Sequence, residues 1–418
     1  MKEKGFNTMI YDFTSIMDRR GKDALAVDAI GGYAWGFAPQ KAKPGFEEIP
    51  MWVADMNFAT APSIIEAIQK RIAHPAFGYF AASDEYYQSI IDWQVRQHAY
   101  QGLTKDVIGY ENGVHGCVAT SIQLFTEPGD AILVHSPTYV GFLGDIKESG
   151  RRTVYSPLKR DDQGIWRMDF EDMDKKLRDN DIHLAIFCSP HNPTGRVWER
   201  WELEKAMEVY QKNDCIVVSD EIWSDIIFSD YQHIPTAMVS EDARQRTIGI
   251  YAPSKTFNLA GLIGSYHIIF NPLLRKKIEK YSAKTHYNEM NVLSMHALIG
   301  AYTEVGEDWK NQLCQVLEKN CRYAVDTINE KFEGCLAAMP QGTYMIFMNV
   351  KDYCQRTGKT LDQVLKAGWD VGVAYQDGRM FADNWSIRIN CALPFSRVQE
   401  AFDRLDKYVF NEVVSNKL

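Results

Sequence analysis

Between about residue 110 and residue 270, short and almost wholly apolar runs rich in β-branched residues alternate with longer amphipathic stretches. The runs cover 130–135, 183–188, 215–219, 247–251 and 265–270. Continuous apolar runs of this length mark strands covered on both faces, and the intervals between them leave room for crossover helices. The pattern therefore predicts an α/β fold with a mostly parallel central sheet flanked by helices. One such helix is expected at Arg200 to Gln211, where Trp201, Leu203, Ala206, Met207, Val209 and Tyr210 give it an apolar face.

After about residue 290 the texture changes. A long helical region is followed by an apolar strand at Tyr344 to Val350, a helix-like LDQVLKAG, a strand-like SIRINCAL and a closing helix from Ser396 to about Phe410. This predicts a second, smaller α+β unit. Residues 1–50 hold many glycines and turn residues and few periodic segments. The expected division is an N-terminal segment (1–50) joining the small domain, a large domain (51–290) and a small C-terminal α+β domain (291–418).

Composition narrows the function classes. In 418 residues there are 46 Lys plus Arg against 55 Asp plus Glu, a net charge of -9, which lacks the basic excess that nucleic-acid binding needs. No stretch reaches the roughly 18 apolar residues of a membrane span, so no membrane partner is expected. The eight cysteines form no C-x-x-C pair and no zinc-site spacing. They read as reduced thiols of a cytoplasmic protein with no metal site.

Polar residues collect where the predicted strands end, in HSPTY (135–139), CSPHNPTG (188–195), VVSDEIW (217–223) and YAPSKTFNLAG (251–261). An open α/β sheet places its ligand crevice at those ends. Lys255, if desolvated there, is an amine nucleophile for a carbonyl; alone it reads as a surface lysine. Asp220 suits a protonated ring nitrogen, or a helix N-cap. Asn192 lies in a tight Pro-rich turn. Gly113 and Val114 precede a helix-like run whose N-terminus would suit a phosphate. Arg388 is a candidate clamp for a carboxylate, or a strand arginine reaching solvent.

The order SPHNPTG, SDE, APSKTFNLAGL and IRIN resembles the fold-type I pyridoxal-phosphate enzymes of aminotransferase class I/II, across nearly the whole chain. MWVADMNF, FGY, YYQSIIDWQVRQH, PHNPTGRVW, PSKTFNLAGL and RINCALP further resemble the cystathionine β-lyase, or cysteine-S-conjugate β-lyase, branch. The resemblance implies pyridoxal 5'-phosphate as cofactor, bound in the large domain. It implies that Lys255 carries the cofactor and shuttles the proton, Asp220 pairs with the ring nitrogen, Asn192 binds the ring oxygen and Tyr139 stacks on the ring. Gly113, Val114 and Ser254 would hold the phosphate, and Arg388 the substrate carboxylate. Tyr79 would reach the phosphate of a neighbouring subunit, implying a homodimer with shared active sites.

The activity implied is cleavage of cystathionine or a cysteine S-conjugate to thiol, pyruvate and ammonia. The alternatives are an aminotransferase of a neutral or aromatic amino acid, whose pocket Tyr33, Trp35, Phe37 and Trp52 would line, and an amino-acid racemase. The chain departs from the family at Trp223, where a tyrosine or histidine is usual near the ring oxygen. It departs again at Ile263, where many aminotransferases carry a phosphate-binding arginine.

Overall fold

The computed structural model describes residues 11–32 and 37–411. Seven strands build the main sheet: β1 (Ile108–Glu111), β2 (Ala131–Ser136), β3 (Arg152–Pro157), β4 (Leu184–Cys188), β5 (Ile216–Asp220), β6 (Thr247–Tyr251) and β7 (Ser265–Ile268). They lie in the order β1-β7-β6-β5-β4-β2-β3. Neighbours from β6 through to β3 are parallel, and β7 alone runs antiparallel to both of its neighbours.

The five apolar runs are all strands of this sheet, and two strands escape the pattern. β3 lies at the edge with most of its residues outside the core, and β1 is only four residues long with a central glycine, so neither shows a continuous apolar run.

Helices fill the intervals. Those that matter for the site are α1 (Val114–Phe125) after β1, α2 (Val140–Glu148) after β2, and α3 (Arg200–Lys212) between β4 and β5. α3 starts with a capping box between Glu199 and Glu202 and buries Leu203, Ala206, Met207 and Tyr210. Trp201 departs from the expected apolar face; it stays 44% exposed, edge-on to Phe170 and beneath Arg167.

Beyond the 28-residue helix α4 (Glu304–Lys331) stands an antiparallel sheet of β8 (Leu336–Ala337), β9 (Met345–Asn349), β10 (Gln376–Asp377) and β11 (Ser386–Asn390), ordered β8-β9-β11-β10. Helices α5 (Leu361–Asp370) and α6 (Phe395–Leu405) accompany it. From the N-terminal side, Ile49 and Pro50 pair in parallel with Val373 and Ala374. A single apolar cluster runs from Phe13 and Met51 through Trp93 and Phe257 to Ile389 and Phe402, so the two sheets share one core. All eight cysteines are unpaired, and among the described residues no helix is long and apolar enough to cross a membrane.

The turn after β4 is locked to the second sheet's approach loop. The Gly195 carbonyl accepts from the N–H groups of Gln341 (2.8 Å) and Gly342 (3.1 Å). Gly195 has φ +68°, and a Cβ there would collide with Pro340 and lie 3.0 Å from the Gly342 carbonyl oxygen. Only glycine meets both conditions. Gly195→Ala is expected to cost about 2–4 kcal/mol, from the left-handed backbone and the clash together, as measured by urea unfolding.

Candidate active site

The carboxyl ends of β2, β4, β5 and β6 open on one crevice, and each delivers a polar residue to it: Tyr139, Asn192, Asp220 and Lys255. β11 of the second sheet brings Arg388 from the opposite side.

Lys255 is partly buried, and its Nζ donates to the Ala54 carbonyl at 3.0 Å. Desolvation pulls its pKa down to about 8, helped by the Arg388 charge and opposed by Asp55 and Asp220. The face of the Trp223 indole lies 6.0 Å from the ammonium, and Trp223 itself is 2% exposed and edge-on to Tyr344.

Three acids follow one another in the SDEIWSD run, and their surroundings separate them. Glu221 is met by His233 (2.7 Å), the Tyr251 hydroxyl (2.8 Å), the Ser219 hydroxyl and the Thr236 N–H. Asp225 is met by His98, the Trp93 indole and the Thr256 hydroxyl. Both stay below the usual carboxylate range despite burial. Asp220 accepts only the Ile222 N–H, at 3.1 Å. Burial pushes it up to about 6, against that N–H and the charges of His115 and Lys255. A buried carboxylate with spare acceptor capacity, facing the crevice, is suited to a cationic N–H donor.

Arg388 is 3% exposed, and burial lowers its pKa to about 10. Its Nη1 donates to Asn192 Oδ1 (3.2 Å) and its Nη2 to the Trp52 carbonyl (2.8 Å) and Gln376 Oε1. The guanidinium lies 4.4 Å from the Phe381 ring centroid, and its Nε is buried without a partner. Asn192 is thereby oriented with its amide oxygen towards Arg388.

Tyr139 caps the N-terminal end of α2, and burial pushes its hydroxyl up to about 12. Gly113, with φ 79°, caps α1 ahead of Val114, and no side chain fills the first-turn donors. The Gly113 N–H donates to the Glu111 carbonyl (2.9 Å) and the Gly116 N–H to the Gly113 carbonyl (3.1 Å), which leaves the Val114 and His115 N–H groups at the helix end to favour an anion. The Ile263 side chain lies alongside: a Cβ on Gly113 would meet its Cγ2 at 3.7 Å. Ser254 sits partly buried in the turn next to Lys255.

Tyr79 is not brought to this group. It is fully exposed on an extended arm with Phe77 and Phe80, beside a cleft of about 760 Å³ lined also by Tyr110, Glu111 and His267. Of the N-terminal aromatics, Phe37 packs edge-on to Trp52 at 6.2 Å, and Tyr33 and Trp35 lie outside the described residues.

The structure adds residues that sequence reasoning missed. The carbonyls of Trp52 and Ala54 position Arg388 and Lys255, and those of Val53 and Asp55 hold Asn390. MWVADMNF is a conspicuous motif, yet apart from the Asp55 charge near Lys255 its contribution is backbone, which no side-chain pattern reveals. Gln376 of β10 and Phe381 in the helical turn after it hold Arg388 from a stretch with no sequence signature. His115 stands between Asp145 and Tyr139.

The site thus brings together a lysine amine, a buried carboxylate with spare acceptor capacity, a buried guanidinium and a helix terminus with unpaired donors. The family model for aminotransferase class I and II matches residues 49–405. The chain belongs to that family. Among similar proteins, cystathionine beta-lyase PatB of Bacillus subtilis (strain 168) is 31% identical over 362 residues, 86% of this chain and 92% of that protein. Cystalysin from Treponema denticola, whose crystal structure contains a pyridoxal 5'-phosphate cofactor, is 30% identical with a TM-score of 0.86, covering 95% of this chain and 98% of that one. The PLP-bound C-S lyase from Staphylococcus hominis is 29% identical with a TM-score of 0.85 over the same shares.

As a member of the aminotransferase class I and II family without its cofactor, the chain should be strained by the Lys255 charge. With a folded pKa of about 8 and an ordinary unfolded value of 10.5, the unfolded chain binds more protons between these limits. Stability contributed by this group is present above the unfolded pKa and lost as pH falls through 8. Urea unfolding of the apoprotein should show wild type gaining up to about 3 kcal/mol relative to Lys255→Met as pH rises through that window. Parallel pH profiles would contradict the burial of the ammonium.

Proposed function

We propose that this chain is a pyridoxal 5'-phosphate-dependent carbon-sulfur β-lyase, cleaving cystathionine or a cysteine S-conjugate to thiol, pyruvate and ammonia. The observation that carries this is the convergence of Lys255, Asp220 and Arg388, three ionisable groups shifted by burial within one crevice, in a chain whose relatives are named cystathionine beta-lyase and C-S lyase.

The residues fit the cofactor. The uncapped first turn of α1 takes a phosphate on the Val114 and His115 N–H groups, the expected Gly113 N–H being already committed to the Glu111 carbonyl at 2.9 Å, and Ser254 can add a hydroxyl. Asp220 accepts from a protonated ring nitrogen, and Tyr139 offers a flat face to the ring. Asn192, its Oδ1 already committed to Arg388, has its Nδ2 free to donate to the ring oxygen. Trp223 offers an indole N–H in place of a hydroxyl or imidazole, so it can donate to that oxygen but cannot exchange a proton with it, and Asn192 is the amide donor.

When bound, pyridoxal 5'-phosphate accepts the electron pair left as a proton departs from the α-carbon of the attached amino acid. Lys255, lowered towards neutrality, takes that proton at Nζ and can return one. Arg388 holds the substrate carboxylate; its own groups are kept in place by Asn192, Gln376 and Trp52, so little ordering remains for the substrate to impose. Burial raises Asp220 to about 6, and a cation facing it would lower that value again, which couples its charge to the occupied site.

The test is an absorbance spectrum and an assay with L-cystathionine. Wild type should show a visible band and release thiol and pyruvate in equal amounts. Lys255→Ala should lose the band and at least about 100-fold in turnover. A keto acid formed only with a coupled acceptor would replace the lyase by an aminotransferase, and a D-enantiomer by a racemase.

We also propose that Tyr79 serves the phosphate of a second copy, so that the enzyme is a homodimer with shared sites. Tyr79→Phe should weaken cofactor binding about ten- to hundredfold, the loss of one hydrogen bond to a charged group. Co-expressed with Lys255→Ala, it should regain a fraction of sites with wild-type affinity. No regain would mean that each chain serves itself.

A further inference from the structure

α1 begins with Gly113 as its cap and His115 as its second residue, so the imidazole stands at the helix end proposed to hold the cofactor phosphate. Its Nδ1 pairs with Asp145 Oδ2 of α2 at 2.7 Å, and its Nε2 lies 3.4 Å from the Tyr139 hydroxyl. The two rings are tilted by 44° with centroids 5.7 Å apart. The backbone is shaped around the pair: a Cβ at Gly141 would collide with the His115 ring and approach Tyr139 Cε1 to 2.6 Å.

We propose that Asp145, His115 and Tyr139 form a protonation-dependent positioning chain, in which the state of His115 decides whether the Tyr139 hydroxyl is tied to the imidazole or free to donate into the site. Asp145 holds the proton on Nδ1. When His115 is neutral, Nε2 is an acceptor and the Tyr139 O–H donates to it. When His115 gains a proton, Nε2–H donates to the Tyr139 oxygen and the hydroxyl hydrogen turns away. The same proton places a positive charge beside the α1 terminus, where Ile263 supplies none.

The groups facing His115 are Asp145 and Tyr139 from α2 and its cap, Asp220 from the end of β5 and Lys255 from the turn after β6. The Asp145 hydrogen bond raises the imidazole pKa first, burial opposes it, the Asp145 and Asp220 charges add to the rise and Lys255 subtracts. His115 in turn helps to keep Asp220 ionised. Its side chain is half exposed, which screens these effects without abolishing them.

The role in cofactor binding rests on the function proposed above, whereas the hydrogen-bonded chain exists without it. Two measurements separate them. By NMR of the full-length apoprotein, the titration of His115 should move to lower pH in Asp145→Asn. By titration with pyridoxal 5'-phosphate, the Kd of His115→Gln should exceed that of wild type by about three- to tenfold on the acid side of the His115 midpoint, as expected of one charge at a helix end, and converge with it on the alkaline side. An unmoved midpoint, or Kd profiles that differ by a constant factor at all pH values, would overturn the proposal. Failure of wild type to bind the cofactor would instead sink the proposed function, leaving the NMR result to decide the chain.

Discussion

Lys255, Asp220 and Arg388 are charges that water would stabilise and that this fold removes from water. Each alone would be expelled or neutralised. Their shifts record that cost: the lysine falls to about 8, the aspartate rises to about 6 and the arginine falls to about 10. Asp220 and Asp55 ease the burden of Lys255, and Lys255 and His115 ease that of Asp220. A site balanced in this way suits a ligand that carries both charges, because each buried group would meet its complement without first being rearranged.

Holding the balance requires two sheets. The parallel strands deliver Asp220 and Lys255, and the antiparallel sheet delivers Arg388; neither assembles the site alone. The polar tether across the gap is largely backbone. Arg388 reaches Trp52 and Asn192, Asn390 reaches Val53 and Asp55, and Gly195 receives Gln341 and Gly342. Carbonyl acceptors serve this purpose because they are fixed by the chain and cannot titrate. The shared apolar core beneath them stops the two sheets from separating, which would strand a buried guanidinium.

How far the sequence anticipates this depends on whether a residue acts through its type or through its place. Apolar runs identify the five inner strands because burial on both faces demands an unbroken pattern. β3 and β1 are invisible to that signal, one for its exposure and the other for its shortness. Lys255, Asp220 and Asn192 stand out by residue type at or just beyond strand ends, and Arg388 as a charge in the middle of an apolar strand. Choosing Asp220 over Glu221 and Asp225 is another matter. All three are buried acids within six positions of one strand end, and only the partners separate them, two acids being saturated by histidine, indole and hydroxyl donors contributed from remote parts of the chain. Gln376, Phe381 and the carbonyls of Trp52 and Ala54 are illegible for the same reason: their identity is ordinary and their position is everything.

The departures from the family pattern lie beside Lys255 and Gly113 and move charge and hydrogen bonding in one direction. Trp223 replaces a titratable or hydroxylic group by an aromatic face directed at Lys255, and Ile263 replaces a permanent cation by an apolar side chain beside Gly113. Both changes remove fixed polarity from the site. His115 adds some back, but as a group whose charge follows pH and whose orientation depends on Asp145. A permanent arginine would hold phosphate equally well at any pH; an imidazole at the same helix end makes phosphate binding, the ionisation of Asp220 and the direction of the Tyr139 hydroxyl respond to a single proton.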